Sequence, residues 1–444
     1  MRGAGRVGSE ATSLSARSYR CACYARRMPR PDASPRPAMT TSVVVALLTL
    51  LLGIQPISTD AYLPALPTLR HDLGAGIAAA QLTLSALIIC FGVAQLVCGP
   101  LADRFGRRPV LLAGLGLYTL ASFGAAAAPE IVALVAWRAL QGAAMAAAVT
   151  CGRSIVRDLY EPAAGARMLS RALTGLGLIA VLAPLVGGLV VESFGWHAAL
   201  LIPALFGGGT LVLVAWRFEE TTPARDPGAT RPRAILRNWA EVVADPTFRA
   251  WALLSGCTYG GLFAMLAASS FVFIGMFGVG RFAFGVVLAS MSLSYIGGTV
   301  LCRRLLARHG LRGAVKRGAW FSLVGGTAMA LLSLGGVQTV WAILVPQYVY
   351  AIGHGIHQPC GQAGAVGPFP EKAGTAASLS GFVMTLTALG VGLWIGRTLD
   401  LTVYPLTLCI GAFSVAVAVV AWTLVQRHGE PEPALRARMA TRPA

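Results

Sequence analysis

The chain has 444 residues, of which 56% are hydrophobic and only 12% charged, and its net charge is +18. A soluble domain carries about 25% charged residues, so this composition excludes an ordinary water-soluble enzyme. The positive charge is almost all arginine, with Lys316 and Lys372 the only lysines. It sits in short tethers between apolar blocks, a distribution that orients a membrane protein and argues against a nucleic-acid-binding face.

The first segment, 1–41, alternates Arg2, Arg6, Arg17, Arg20, Arg26, Arg27, Arg30 and Arg36 with Ser, Pro and Ala. It reads as a disordered basic cytoplasmic tail with no cleavable signal peptide. Met1, Met28 and Met39 are all candidate starts. Long apolar blocks follow, such as 42–54 and 79–97. A bilayer-spanning helix needs roughly 20 mostly apolar residues, and spans in lipid must satisfy their own backbone, so they are helical. Alternating ten-residue segments, the mark of a membrane β-barrel, are absent from the sequence.

Six spans are predicted in a first half, 42–217: 42–66, 79–102, 109–127, 130–152, 167–191 and 197–217. A polar, Pro-rich linker, 218–249, carries Arg225, Arg231, Arg233 and Arg237. Six more spans follow in a second half, 250–425: 250–276, 282–306, 314–336, 339–364, 373–397 and 402–425. The segment 426–444 is a second charged tail. Arginines cluster after spans 2, 4, 6 and 8, whereas Arg70, Arg281 and Arg397 are the exceptions in the alternating loops. This bias places both termini and the linker in the cytoplasm of a cell whose inner membrane holds the protein. The expected fold class is an all-α membrane protein of twelve transmembrane helices in two six-helix halves, a duplicated layout. Cys90, Cys98, Cys151, Cys257, Cys360 and Cys409 lie inside spans, and the cysteine spacing suggests neither a disulfide framework nor a metal site.

Charged residues inside spans are few and informative. Asp60 and Arg138 each cost at least about 2.5–3.5 kcal/mol to insert, so each is expected to face the interior and find a partner. At 1.5 Å per residue, Asp60 falls roughly 9 Å and Arg138 roughly 5 Å to the same side of their span centres. They are placed to pair directly, through water or through Gln141. Burial disfavours a charged carboxyl and a nearby arginine favours it. Asp60 is therefore either an exchanging proton site tuned by Arg138 or half of a static ion pair.

Between spans 2 and 3 runs Gly99–Pro100–Leu101–Ala102–Asp103–Arg104–Phe105–Gly106–Arg107–Arg108–Pro109. Gly99 permits close helix approach, Gly106 a tight turn, and Pro109 suits the first turn of the next helix. This run resembles the loop signature of the major facilitator superfamily. The resemblance implies a cytoplasmic gate formed by Gly99, Asp103, Arg104, Gly106, Arg107 and Arg108, with Asp103 the latch carboxylate between halves. The stretch 303–312 is a degenerate second copy with Ala307 at the aspartate position.

Three further runs narrow the resemblance: Ser58–Thr59–Asp60–Ala61–Tyr62–Leu63–Pro64, Trp137–Arg138–Ala139–Leu140–Gln141–Gly142, and Ala183–Pro184–Leu185–Val186–Gly187–Gly188. Together they resemble twelve-span drug:proton antiporters. Gly367–Pro368–Phe369–Pro370 with the following 373–378 is similar to the bicyclomycin and chloramphenicol/florfenicol resistance group. By resemblance, Pro184, Gly187 and Gly188 form the antiporter motif that limits leak; the buried charges make Asp60 and Arg138, with Gln141 as a candidate bridge, the candidates for proton coupling. The implied activity is export of small drug-like molecules against a proton gradient, by a monomer that is not an enzyme and needs no cofactor. No Gly-x-x-x-x-Gly-Lys-Ser/Thr run is present to bind ATP. An exporter of an amino acid or other metabolite on the same scaffold is the alternative, and a proton symporter a more distant one. Tyr62, Tyr259, Phe263, His354, His357 and Gln358 are the candidate lining of a substrate cavity, with His354 and His357 also able to titrate near neutrality.

Overall fold

A computed structural model describes residues 39–160, 162–222, 225, 229–369, 372–399 and 402–430. The basic tail with Cys21 and Cys23, the side chains of Arg157 and Arg167, Pro370, and the chain beyond 430 lie outside the described residues. Among the described residues, nine helices are long and apolar enough to cross a membrane by length and composition. Two of them, at 47 and 54 residues, exceed any single crossing of a hydrocarbon core about 30 Å thick. Each contains one glycine outside helical geometry, Gly195 at φ 80° and Gly310 at φ 65°, where the helix stops and another begins. L-residues with a Cβ rarely adopt that backbone, so glycine marks both corners. Counting each as two and adding Val340–Val366, at 27 residues, gives twelve.

These are α1 (Thr41–Thr59), α2 (Ile77–Phe105), α3 (Arg107–Ala126), α4 (Ile131–Leu159), α5 (162–194) and α6 (196–217), then α7 (Pro246–Ser270), α8 (281–309), α9 (311–334), α10 (Val340–Val366), α11 (Ala373–Thr398) and α12 (Tyr404–Trp422). Their outer surface is apolar: Val132 and Leu205 are each 69% exposed and Trp216 is 74% exposed. Leucine and tryptophan at that exposure over a whole surface suit lipid rather than water.

Local sequence sets the helix ends. Asp245 caps α7 by accepting the Phe248 N–H at 2.9 Å, with Pro246 in the first turn. Thr339 caps α10 by accepting the Ala342 N–H at 3.2 Å. The linker is not wholly irregular, because Pro232–Ala244 forms a helix. Its Glu241 pairs with Lys372 at the start of α11 and lies 3.8 Å from Arg237 one turn back. Span 1 also departs from expectation. The sequence predicts one helix over 42–66, whereas α1 stops at Thr59 and gives way to a turn, a 3₁₀ segment Leu63–Ala65 and a short helix Leu66–Asp72. Pro64 and Pro67 have no N–H to donate, and each disfavours α geometry in the residue before it.

The first six helices meet the last six along two seams, α5 on α8 and α2 on α11. A Cβ on Gly285 would sit 2.4 Å from the Pro184 carbonyl oxygen, so these backbones touch through glycine. On the side of the membrane away from the linker, polar contacts also join the halves. Arg281 Nε donates to Thr68 Oγ1 at 3.0 Å, the Phe282 N–H to Glu192 at 2.9 Å, and the Gln81 amide to the Ala267 carbonyl. The halves are therefore closed on that side.

A branched side chain at Gly285 must push α5 and α8 apart. Overpacking costs about 1–3 kcal/mol, equivalent to about a 5- to 150-fold shift in a two-state population. We expect disulfide cross-linking of a Thr68→Cys/Arg281→Cys pair to slow at least ~5-fold when Gly285→Val is added, read by gel shift after mild oxidation.

Candidate functional site

The site starts where α1 ends. The last carbonyls of a helix have no intrahelical partner, and here the Ser58 carbonyl is one of them. Arg138 of α4 takes it, donating from Nη2 at 2.9 Å, while Nη1 donates to Gln141 Oε1 one turn along at 2.7 Å. The guanidinium carbon lies 4.3 Å from the centre of the Tyr62 ring, a cation–π contact. Gln141 donates in turn to Ser122 Oγ at 2.6 Å, Ser58 Oγ and the Tyr118 hydroxyl are 2.6 Å apart, and Tyr62 and Thr83 share a hydrogen bond of 2.7 Å. Arg138 is fully buried. Its charge is held by neutral acceptors and an aromatic face, and no carboxylate among the described residues lies within 4 Å of it. Its Nε–H has no hydrogen-bond partner among the described residues.

Asp60 is two residues beyond that anchor. It caps α1, its N–H donating to the Pro56 carbonyl at 2.8 Å, and its carboxylate accepts the Thr59 hydroxyl at 2.7 Å. The expected Asp60–Arg138 pair is thus not formed in this conformation, and Gln141 is Arg138's partner rather than a bridge to Asp60. The geometric reason is that α1 ends at Thr59, which leaves the Ser58 carbonyl free to accept from Arg138, while Asp60 takes the Thr59 hydroxyl. Arg138 and Asp60 are linked through the chain, with Ser58 two residues before Asp60.

The run 183–188 packs directly on this break. A Cβ on Gly187 would lie 2.2 Å from the Ala61 carbonyl oxygen, and one on Gly188 2.6 Å from the Arg281 carbonyl oxygen. One face of α5 therefore touches the residue next to Asp60, and the other touches α8 across the seam, where Pro184 meets Gly285.

In the second half the two histidines separate. His354 Nδ1 lies 3.0 Å from Thr258 Oγ1 of α7, and its ring is 5.5 Å from that of Tyr295. His357 faces α9, with Nδ1 3.3 Å from Ser322 Oγ and Nε2 3.3 Å from the Val315 carbonyl. One turn of helix points them to different neighbours, and both nitrogens of His357 are used in packing. Tyr259 and Phe263 of α7 stack with centroids 6.3 Å apart. Gln358 is partly buried and reaches only the Met384 sulfur, at 3.7 Å, leaving its carbonyl oxygen unpartnered among the described residues. Tyr62 is engaged with Arg138 instead of standing with Tyr259.

The loop 99–109 makes its contacts within the first half and the linker. Arg107 pairs with Asp103 at 2.6 Å and, through Nε, with Asp158 of α4 at 3.0 Å. Arg104 donates to Thr230 at 2.6 Å and Arg108 Nη2 to the Ala215 carbonyl at 2.9 Å. Gly106 adopts φ 100°, and a Cβ there would sit 2.4 Å from a Glu220 carboxylate oxygen, so glycine is required twice over. Glu220 caps α3 from a distance, accepting the N–H groups of Arg107 at 2.9 Å and Arg108 at 3.2 Å. Asp158 and Glu220 were not singled out from the sequence. The signal was there: each is an acid on the otherwise arginine-rich side of the molecule.

A family comparison meets this arrangement from the other direction. The family described as the Major Facilitator Superfamily matches residues 48–392. The chain belongs to the major facilitator superfamily. Multidrug resistance protein D of Escherichia coli K12 is 29% identical over 339 residues, 76% of this chain and 84% of that one. A chloramphenicol resistance protein of Pseudomonas aeruginosa is 27% identical over 342 residues, covering 76% and 80%. A bicyclomycin resistance protein homolog of Haemophilus influenzae is 26% identical over 397 residues, covering 88% and 98%. Among solved structures, a D-xylose–proton symporter superposes with a TM-score of 0.67 at 15% identity, over 88% of this chain and 98% of that one. That similarity establishes the shared transporter fold alone. The twelve helices are those of a multi-pass membrane transporter of this superfamily.

The cap supplied by Glu220 carries a pH dependence. Partial burial pushes its carboxyl up, but the N–H groups of Arg107, Thr222 and Arg108 and the Thr222 hydroxyl outweigh this and hold it below its ordinary 4.5. A carboxyl with a depressed folded value contributes stability that is present above its unfolded value and lost as pH falls through the folded one. Replacing a capping acceptor costs about 0.5–2 kcal/mol. Glu220→Gln should lower the thermal midpoint in detergent by about 0.5–2 °C at pH 7, and the gap from wild type should close in the acid range below 4.5.

Proposed function

We propose that this transporter exports small, drug-like molecules across the inner membrane in exchange for protons, with Asp60 as the group that carries the proton. The relatives named for resistance to chloramphenicol, bicyclomycin and multiple drugs support the substrate class. The observation that carries the coupling is the Asp60–Arg138 neighbourhood. Among the described residues, a buried guanidinium has no counter-ion and keeps one N–H unpartnered, while a carboxyl that accepts the Thr59 hydroxyl lies two residues from its anchor. Removing the proton from Asp60 creates the negative charge that the guanidinium lacks, and adding it dissolves that attraction. Protonation and the geometry of the α1 break are thereby coupled, as a carrier exchanging protons for substrate requires.

The arginine bias makes the linker side cytoplasmic, with both termini there. On that reading the conformation described above is closed outward along the α5–α8 and α2–α11 seams. Gly187 ties the Asp60 break to the first seam, so motion at the proton site is transmitted to the closing contact. The substrate is held between the halves, near Tyr259, Phe263, His354 and Gln358, where apolar rings and a few neutral polar groups favour an uncharged or weakly charged amphiphile. The protein works as a monomer and does no covalent chemistry on what it carries.

Everted vesicles from cells expressing the wild type should release protons when a transported compound is added, and should concentrate that compound when a proton gradient is imposed. Asp60→Asn should cut gradient-driven accumulation at least ~10-fold, a loss of about 1.4 kcal/mol or more in driving force, while the purified protein still binds the compound. Uphill transport by Asp60→Asn at the wild-type level would overturn the assignment.

A further inference from the structure

At the end of the α2–α11 seam away from the linker, the two helices enclose a cavity of about 220 Å³. Its wall is Ala79, Leu82 and Ser85 of α2 with Gly392, Gly396 and Arg397 of α11. It is smaller than the roughly 300–1,000 Å³ that holds a drug-sized molecule, and it opens toward the bilayer beside Leu82 and Leu393, which are 42% and 43% exposed. The transported molecule is therefore not its natural occupant.

Three features of the wall point to one ligand chemistry. Arg397 is exposed at the last turn of α11, and among the described residues it has no ion-pair or hydrogen-bond partner. Ser85 is 2% exposed, and its hydroxyl has no hydrogen-bond partner among the described residues. That hydroxyl points at the floor, since a Cβ on Gly392 would fall 2.2 Å from it. Between cation and hydroxyl the wall is small and apolar. Gly392, level with Ser85, is five residues from Arg397, or about 7.5 Å along the helix. A phospholipid has the same plan: an anionic phosphate at the water boundary, an ester carbonyl a few ångströms below it and then hydrocarbon. We propose that this cavity binds one anionic phospholipid, its phosphate on Arg397, its glycerol backbone between Ala79, Leu82 and Gly396, an ester carbonyl accepting from Ser85 Oγ and its acyl chains leaving into the bilayer past Leu393.

The site carries a consequence for the transport cycle. Its floor exists only while α2 and α11 are in contact at this end, so a lipid seated there favours the state closed on this side. This holds whatever compound is carried and does not depend on Asp60 being the proton site.

The test is native mass spectrometry of the full chain, delipidated in detergent and titrated with phosphatidylglycerol or with phosphatidylethanolamine of the same chains. One phosphatidylglycerol should bind about fivefold more tightly than its zwitterionic counterpart, the worth of one arginine at a membrane surface. Arg397→Gln, at an exposed helix end, should erase that preference. Ala79→Phe, which fills the space for the glycerol backbone, should reduce retention of both lipids at least fivefold. Soluble glycerol phosphate in excess should displace neither. Unchanged lipid adducts in both variants, or displacement by glycerol phosphate alone, would overturn the proposal, the latter by showing a phosphate site rather than a lipid site.

Discussion

The arrangement of the first half depends on keeping one guanidinium satisfied where there is no water. An unpaired buried charge costs several kcal/mol even after relaxation, and no carboxylate among the described residues lies within 4 Å of Arg138. It is held by a backbone carbonyl, an amide oxygen and an aromatic face. The carbonyl is available only because α1 stops at Thr59. Had α1 continued, the Ser58 carbonyl would have been spent on the Tyr62 N–H, which instead reaches Thr59. The proline-rich end of span 1 and the arginine of span 4 thus solve one another's problem: the broken helix offers acceptors at its negative end, and the cation is stabilised there. Asp60 owes its position to that bargain. It occupies the first residue past the helix, two residues beyond the carbonyl that anchors the cation.

Much of this was legible in the sequence, and the rest was hidden for physical reasons. Span count and placement follow from apolar blocks punctuated by arginine, because lipid imposes one rule on every residue of a span. Asp60, Arg138 and the 99–109 loop stood out because charge and glycine are conspicuous against an apolar background. What could not be read was partner choice. Depth along a helix placed Asp60 and Arg138 within reach, but depth ignores the end of α1 at Thr59, which leaves the Ser58 carbonyl free for Arg138. His354 and His357 look like a pair at three residues' separation, yet they engage α7 and α9 respectively. Glu220 and Asp158 lie 113 and 51 residues from the arginine they hold. Long-range partners of that kind leave no periodic trace. The linker helix Pro232–Ala244 was obscured because charge and proline in that segment read as loop.

The two seams share a design. Each brings backbones together through glycine, α5 to α8 at Gly285 against Pro184 and α2 to α11 at Gly396 against Ala78. Contacts of this type are steep. They are fully made or lost over about an ångström, because dispersion between packed atoms decays that fast. A seam of this kind acts as a latch with two settings rather than a hinge with many. The run 183–188 joins such a seam to the α1 break, which gives a small change at Asp60 a rigid route to the closing surface.

The run 99–109, helical except at Gly106, is the one whose resemblance implies a latch that releases and re-forms. Its two ion pairs differ in a way that decides which can do so. Asp158 is 6% exposed where it meets Arg107, and Asp103 is 45% exposed. Breaking a buried pair costs about 3–5 kcal/mol, whereas a solvent-exposed one is worth about 0–1 kcal/mol. Arg107 and Asp158 therefore stay together through any motion of the halves, and Asp103 is the carboxylate that can change partners at little cost. For Asp103 to act as the latch that the loop's resemblance implies, it has only to leave an arginine that keeps a second, buried carboxylate. The departure strands no charge, so the linker side can close without a barrier from the very residues that would hold it shut.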